Sequence, residues 1–348
     1  MNGNVIWPRI DELRRALAVA DTQAQAGALL EQLVRRGFDR LPLPGQGATL
    51  HRWQALAAVA QHDLSLAKLY EGHTDALAIM AELGAQGESG PPARTWGTWA
   101  AEAPSGRTVI ESSSADGRAA LGGAKCWCSG AATASHALLT AWFADGRGPQ
   151  LVRVAISQPT IEVSAAAWQA VGMAGSASLD VAFDGTEAVL VGGVGDYLSR
   201  PGFWQGGAGI AACWYGGSLT IAQALRQSVM QAPAAARSGF RLAALGKVDL
   251  ALRSTAAVLR EAAQWIDAHP QSEASEVALR ARLAAERSAS LVLDEAGRSL
   301  GATPFCRDAR FARAAADLPV FIRQSHAERD FAALGERLLD GGDEPWML

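Results

Sequence analysis

Gly123-Ala124-Lys125-Cys126-Trp127-Cys128-Ser129-Gly130 is the stretch on which the reading of this chain turns. Glycines close it at both ends, and it sets an indole two residues before a hydroxyl. Its cysteines flank Trp127 as C-x-C with no second pair nearby, which does not fit the spacing of a zinc site, so no metal is expected. The four cysteines (Cys126, Cys128, Cys213 and Cys306) are too few and too unevenly spaced for a disulfide framework. Outward from this stretch, over residues 96–191, short apolar runs at 107–111, 137–143, 151–156 and 179–183 are bounded by Gly, Asp, Ser and Pro. Val181 and Phe183 alternate with Asp180 and Ala182, the pattern of a half-buried strand. Short strands with turns and no intervening helix predict an antiparallel barrel or sandwich.

Further out the period changes to that of helices. On the N-terminal side, Leu13, Leu17, Ala20 and Ala24 fall at helical spacing, and Gly37 ends a pattern running through Leu30, Leu33 and Val34. A turn-rich stretch at 41–47 precedes a second helical region, 53–83, which Gly84, Gly87, Gly90, Pro91 and Pro92 break. On the C-terminal side, Leu245, Val248, Leu252, Ala256, Leu259, Ala263 and Ile266 recur at three- and four-residue steps before Pro270. A further helix is expected over 276–300, closed by Gly301 and Pro304. Pro319 is expected to open a last helix carrying Ile322, Phe331, Leu334 and Leu338. The predicted organisation is therefore α+β: an N-terminal helical domain (1–93), a central antiparallel β-barrel domain (94–200) and a C-terminal four-helix bundle (201–348).

The chain of 348 residues is 49% hydrophobic and 19% charged, which excludes disorder, and its net charge of −4 carries no basic footprint for nucleic acid. Residues 201–225 are uncharged and long enough to span a bilayer. Six glycines, with Gln205 and Gln223, interrupt them, so a buried core helix is expected rather than membrane insertion. No secretory signal is read at the N-terminus, and a soluble, cytoplasmic protein is expected.

The order of helices, barrel and bundle resembles the acyl-CoA dehydrogenase superfamily, and three motifs carry the likeness. The opening stretch is similar to the family's G-x-K-x-W-I-T-N-G. Trp99-Ala100-Ala101-Glu102-Ala103-Pro104-Ser105-Gly106 is similar to T-E-P-x-x-G-S-D. Val171-Gly172-Met173-Ala174-Gly175-Ser176-Ala177-Ser178 is similar to G-M-R-x-S-x-T before a strand. The resemblance implies a flavin, FAD or the smaller FMN. Trp127 would stack beside the ring, the Ser129 hydroxyl would meet the ring edge, and the loop Ala100, Ala101 and Glu102 would lie against the flavin. Arg237, in Arg237-Ser238-Gly239-Phe240-Arg241, stands where the family's R-x-x-F-G supplies an arginine to the pyrophosphate. Arg107 is either a phosphate partner or a solvated loop charge. The family's Q-x-x-G-G-x-G turn is matched poorly, by 298–304.

The family's catalytic glutamate is missing, which marks a divergent member. Counting back from Gly216-Gly217, its first position is Ile210. Its second lies after Arg307-Asp308-Ala309, near Ala316 or Asp317. The tail instead holds His326 and, four residues on, Asp330, which resembles the two-component flavin monooxygenases of this fold. On a helix these two would share one face, with Asp330 setting the imidazole tautomer. Glu328 and Arg329 read as a solvated face. His73 is a further candidate for lining a substrate cavity, while His51, His62 and His269 read as surface residues. Three functions stay open: FAD-dependent oxidation of acyl-CoA or another acyl thioester with Asp317 or Asp330 as base; monooxygenation of a small aromatic substrate by reduced flavin; and a non-catalytic relative. A flavin reductase or electron-transfer partner and a homo-oligomer are the partners the resemblance implies.

Overall fold

Residues 7–20, 24–85, 94–103, 106–339 and 346 are described in a computed structural model. Gly87, Gly90, Pro91 and Pro92 of the expected first boundary, and Pro104 and Ser105 of the first loop motif, lie outside the described residues. Helices α1 (Ile10–Ala18), α2 (Ala26–Arg35), α3 (Thr49–His62) and α4 (Leu64–Glu82) come first. Seven strands follow: β1 (Trp96–Trp99), β2 (Thr108–Ser113), β3 (Arg118–Cys128), β4 (His136–Phe143), β5 (Gln150–Ala155), β6 (Ile161–Ser164) and β7 (Leu179–Val191). A short α5 (Asp196–Ser199) leads into α6 (Gly202–Gln231), α7 (Gly239–Ala268), α8 (Ser275–Leu300), α9 (Ala302–Arg307), α10 (Ala309–Phe321) and α11 (Glu328–Leu339). The chain forms two compact units. One holds residues 1–43 and 65–203, with all the strands, and the other holds 44–64 and 204–348.

In the first unit, β4, β2, β3, β7 and β5 close into a five-stranded ring, with β1 paired to β4 and β6 paired to β7. The expected antiparallel barrel is corrected in one respect: β4 runs parallel to both β1 and β2. An odd-membered ring cannot alternate direction all the way round, so one pairing in a five-stranded barrel must be parallel. Period-two alternation then divides the apolar residues between two faces. Leu139, Val152, Val181 and Phe183 join Trp99 and Leu121 in one core, while Leu138, Leu151 and Val191 pack with Ala76, Ile79 and Met80 of α4 in another. Strands covered on both faces read as near-continuous apolar runs, which is why β4 reads Ala137-Leu138-Leu139 rather than alternating.

In the second unit, α6 is a core helix: Cys213, Trp214, Ile221 and Leu225 are fully buried. Its glycines set the spacing to α3, since a Cβ on Gly216 would lie 2.3 Å from the Ala57 carbonyl oxygen. Among the described residues no helix is long and apolar enough to cross a membrane. The region expected as one helix over 53–83 is two, because Asp63 is extended (φ −156°, ψ 131°) and Asp is a poor residue for a helix interior. Pro319 does not open the last helix; it lies in the final turn of α10. The start of α10 is set by Asp308, whose side chain accepts from the backbone N–H groups of Arg310 and Phe311. The proline lacks a donor, and α10 ends two residues later in a 3-10 turn, Ile322–Gln324. The segment expected as one last helix is therefore the end of α10, that turn, and α11.

Candidate functional site

Trp127 sits where β3 slips register against β7, between the Lys125 and Cys128 pairings. Its backbone is left-handed, with φ 57°. A bulge of this kind re-aims side chains: Cys128 turns fully inward while the indole is 58% exposed. Trp127 thus does not fill the barrel core. Holding a non-glycine residue left-handed costs about 1–2 kcal/mol, and that cost is met here to present an aromatic face outward.

Two residues on, the Ser129 carbonyl accepts from Trp99 Nε1 at 3.0 Å, and the Gly130 N–H donates to the Ser176 carbonyl at 2.9 Å. Gly130 is left-handed (φ 72°), and a Cβ there would meet Leu69 at 3.0 Å. The Ser129 hydroxyl lies 2.7 Å from that of Ser178, which lies 3.0 Å from that of Ser176. Ser176 donates to the Met173 carbonyl at 2.8 Å. Met173 (φ 60°) and Ala177 (φ 39°) are both left-handed. Among the described residues, three of the four non-glycines with positive φ therefore belong to this one cluster, the concentration of strain found where side chains are held for a purpose.

The loop before β2 is held by its own glutamate. Glu102 accepts from Lys125 Nζ at 2.8 Å, Thr140 Oγ1 at 2.6 Å and Trp142 Nε1 at 3.2 Å. Burial alone would push this carboxyl up, but hydrogen bonds from Lys125 and Thr140 and the lysine's charge hold it below the usual carboxylate range. Lys125 is buried and also donates to the Thr140 carbonyl at 3.1 Å. The Glu102 side chain is thus engaged with the protein, beside exposed Ala101 and half-buried Ala100. Arg107 stacks over the Trp142 ring at 4.9 Å. Burial pushes the Cys128 thiol well above its usual range, so it is inert packing.

His73 is 1% exposed and both its ring nitrogens are committed: Nδ1 accepts from the Trp96 N–H at 3.1 Å, and Nε2 lies 3.3 Å from Asp39 Oδ2. The expectation that it lines a substrate cavity is corrected, because the ring ties α4 to β1. His62 is partly buried rather than a surface residue, and desolvation lowers its pKa.

In the second unit, Arg237 is exposed and its Nε donates to the Ala232 carbonyl at 3.3 Å. Ile210 is buried in α6, and Asp317 is buried within α10. His326 and Asp330 are brought together, though not on one helix face. His326 lies in the turn before α11, and Asp330, in the first turn of that helix, reaches back to it. Asp330 Oδ1 is 3.3 Å from His326 Nδ1, and Oδ2 accepts from the His326 N–H at 3.1 Å and from Ser325 Oγ at 3.3 Å. The imidazole is 62% exposed, and Nε2 has no partner among the described residues. Ala327 beside it (φ 47°) is the fourth left-handed non-glycine. Sequence reasoning quoted Ser176 and Ser178 in a motif without giving them a role, and overlooked Thr140 and the Lys125–Glu102 pair. Two serines two positions apart, in a stretch otherwise of Gly, Ala and Met, were the available signal for that pair; nothing local announces a lysine–glutamate pair 23 residues apart.

No protein-family model and no curated protein matches the sequence. Solved structures do match in fold. KijD3, in complex with FMN and dTDP-3-amino-2,3,6-trideoxy-4-keto-3-methyl-D-glucose, superposes with a TM-score of 0.76 at 18% identity, covering 96% of this chain and 92% of that one. TdsC from Paenibacillus sp. A11-2, with FMN and indole, gives 0.73 at 17% identity over 94% and 97% of the two chains. The 3-HSA hydroxylase from Rhodococcus sp. RHA1 gives 0.72 at 18% identity over 96% and 95%. With its five-stranded barrel and its helices, the chain shares their acyl-CoA dehydrogenase-like fold.

Proposed function

We propose that this chain is a flavin-dependent oxidoreductase that oxidises a small molecule in the manner of the two-component monooxygenases, with a flavin of FMN size. The observation that carries the reading is the outward, left-handed Trp127 beside the half-buried Ser129 hydroxyl. A flat apolar ring with polar edges needs an aromatic wall and a few directed hydrogen bonds. These two residues supply both, so the residues present fit the group. KijD3 and TdsC carry FMN, TdsC is a dibenzothiophene monooxygenase, and the third neighbour is a hydroxylase, which supports oxygenation over thioester dehydrogenation.

When bound, the flavin supplies the redox chemistry. The protein's part is to bind, orient and move protons. Trp127 holds the ring face, Ser129 the ring edge, and the backbone of Ala100 and Ala101 lies along the loop that Glu102 anchors. Arg237 is the candidate for a phosphate. His326 is the acid–base candidate: its Nδ1–H donates to Asp330, which leaves Nε2 to accept or return a proton. Dehydrogenation of an acyl thioester is the second reading. It is favoured by buried Asp317 near the expected position, which would take the proton next to the thioester carbonyl while FAD would supply the hydride acceptor.

The test is a titration of the purified chain with FMN and FAD, each oxidised and reduced, followed by turnover assays. The expected result is FMN binding that Trp127→Ala weakens about tenfold, in line with the loss of a stacked aromatic. Oxygen-dependent oxidation should occur only with an added flavin reductase. Binding of no flavin in any state removes the enzyme readings, and anaerobic bleaching of bound flavin by an acyl-CoA installs the second one.

A further inference from the structure

His326 stands in a turn between two helices, so the direction of its ring depends on what holds that turn. Ser325 and Asp330 close it on the side of α11. On the other side it rests on α8, through Arg282 and Glu286, four residues apart on one face of that helix. Arg282 Nη2 donates to the Gln324 carbonyl at 2.7 Å, and Arg323 Nη2 donates to Glu286 Oε1 at 2.5 Å. The two residues that lead into Ser325 and His326 are thus both held from α8. Arg282 also reaches α6: its Nη1 donates to the Gly207 carbonyl at 3.1 Å, and its guanidinium lies over the ring of fully buried Trp214 at 5.3 Å. A planar fork can serve carbonyls on two elements at once, which the single ammonium of a lysine does not match. Glu286 is 8% exposed, and its Oε2 is buried with no hydrogen-bond partner among the described residues. A buried carboxylate without its counter-charge is strongly unfavourable, so the tie to Arg323 is a firm one.

We infer that Arg282 and Glu286 are positioning residues: from α8 they hold the turn that carries His326, so that Asp330 fixes the ring with Nδ1–H inward and Nε2 outward. The inference rests on the proposed function, in which Nε2 of His326 exchanges a proton. An ionised carboxylate has only lone pairs to offer, so Nδ1, 3.3 Å from Asp330 Oδ1, meets it as the donor. The neutral ring then carries no proton on Nε2, which is left as the acceptor. When the turn loses its hold on α8, the distance to Asp330 is no longer set, and the proton can occupy either nitrogen. Arg282 and Glu286 therefore act on the chemistry only through the backbone at 323–326 and the tautomer that it supports.

Nitrogen-15 spectra of the whole chain, labelled at histidine and recorded without flavin in mildly alkaline buffer, read the tautomer of each neutral imidazole. His326→Gln assigns the His326 signals. The wild-type protein is expected to favour Nδ1–H over Nε2–H at His326 by about tenfold, the size of one hydrogen bond to a charged group. In Arg282→Lys, which keeps the charge and loses the fork, that ratio should fall to near unity. Glu286→Gln should lower it by less, because the amide oxygen still accepts from Arg323. His73, whose Nδ1 accepts from the Trp96 N–H, is the internal reference and should stay Nε2–H in every variant. Arg287→Ala, on the exposed side of α8, should move neither histidine. A His326 ratio unchanged in Arg282→Lys overturns the inference, whether or not the melting temperature falls, since a merely structural contact would alter stability alone. A wild-type ratio that favours Nε2–H overturns it as well. Failure of the proposed function is read separately, by the FMN and FAD titrations, because these spectra need no flavin.

Discussion

Two histidines in different units make the same contact and come to different ends. His73 and His326 each set a ring nitrogen 3.3 Å from an aspartate oxygen, Asp39 in one case and Asp330 in the other. His73 then spends its second nitrogen on the Trp96 N–H and is 1% exposed. His326 keeps its second nitrogen open to solvent, in a turn that Asp330 and Ser325 tie to the start of α11. An aspartate partner therefore does not mark a catalytic imidazole. What distinguishes the two is whether a nitrogen remains that can exchange a proton with something outside the fold. The hydroxyls divide in the same way: Ser176 is consumed inside the barrel unit, and Ser129 keeps an outward valence.

Substitution of both histidines breaks or sharpens that comparison most strongly. His326→Ala is expected to lower turnover by roughly 10²–10⁴, the scale of a lost acid–base group, with stability changed by less than about 0.5 kcal/mol. His73→Ala is expected to cost about 2–4 kcal/mol, because it opens a cavity and strands a buried N–H. Parallel melting and rate measurements check the pair. A stable His73→Ala or a fully active His326→Ala would erase the distinction.

The next largest effect concerns Glu102. Removing one partner of a buried ion pair costs about 3–5 kcal/mol. Glu102 is partly exposed and Lys125 keeps Thr140, so Glu102→Gln is expected to cost about 1–2 kcal/mol by denaturant titration at neutral pH. The folded-state pKa of this carboxyl is depressed. Its contribution is therefore complete above the unfolded value of 4.5 and disappears as pH falls through the lower folded value. The gap between wild type and Glu102→Gln should narrow as pH falls below 4.5 and close once the carboxyl is protonated in the folded state as well; a gap that does not narrow in acid would mean that the carboxyl does not stabilise as an anion.

The smallest effect separates presentation from packing. Trp127→Gly removes a left-handed non-glycine residue and an exposed indole, so it should leave stability unchanged or raise it by up to about 1 kcal/mol while flavin affinity falls. A melting temperature several degrees lower would return Trp127 to the core and take the aromatic wall away.

Periodicity and punctuation carried the secondary structure well where a single face is buried. The steps from Leu245 to Ile266 mark α7, and Gly301 closes α8 with φ 67°. They failed where a long-range contact or a cap decides the boundary. Asp308 starts α10 eleven residues before Pro319, and a cap is read from the backbone it closes, not from a pattern of apolar residues. Trp127 and Ser129 were legible with a role, whereas Ser176 and Ser178 stood in a motif without one, since their role exists only once β7 lies beside β3.

By itself the sequence determined the succession of helices, short strands and helices, and the indole and hydroxyl at the end of β3, because apolar spacing and glycine placement are local properties of the chain. The tertiary structure alone decided which polar groups are spent. A hydrogen bond between residues 49 positions apart, as between Ser129 and Ser178, or a strand lysine paired with a loop carboxylate, as Lys125 is with Glu102, follows from proximity that only barrel closure creates. The free valence left over after that closure is what the protein has to offer a ligand.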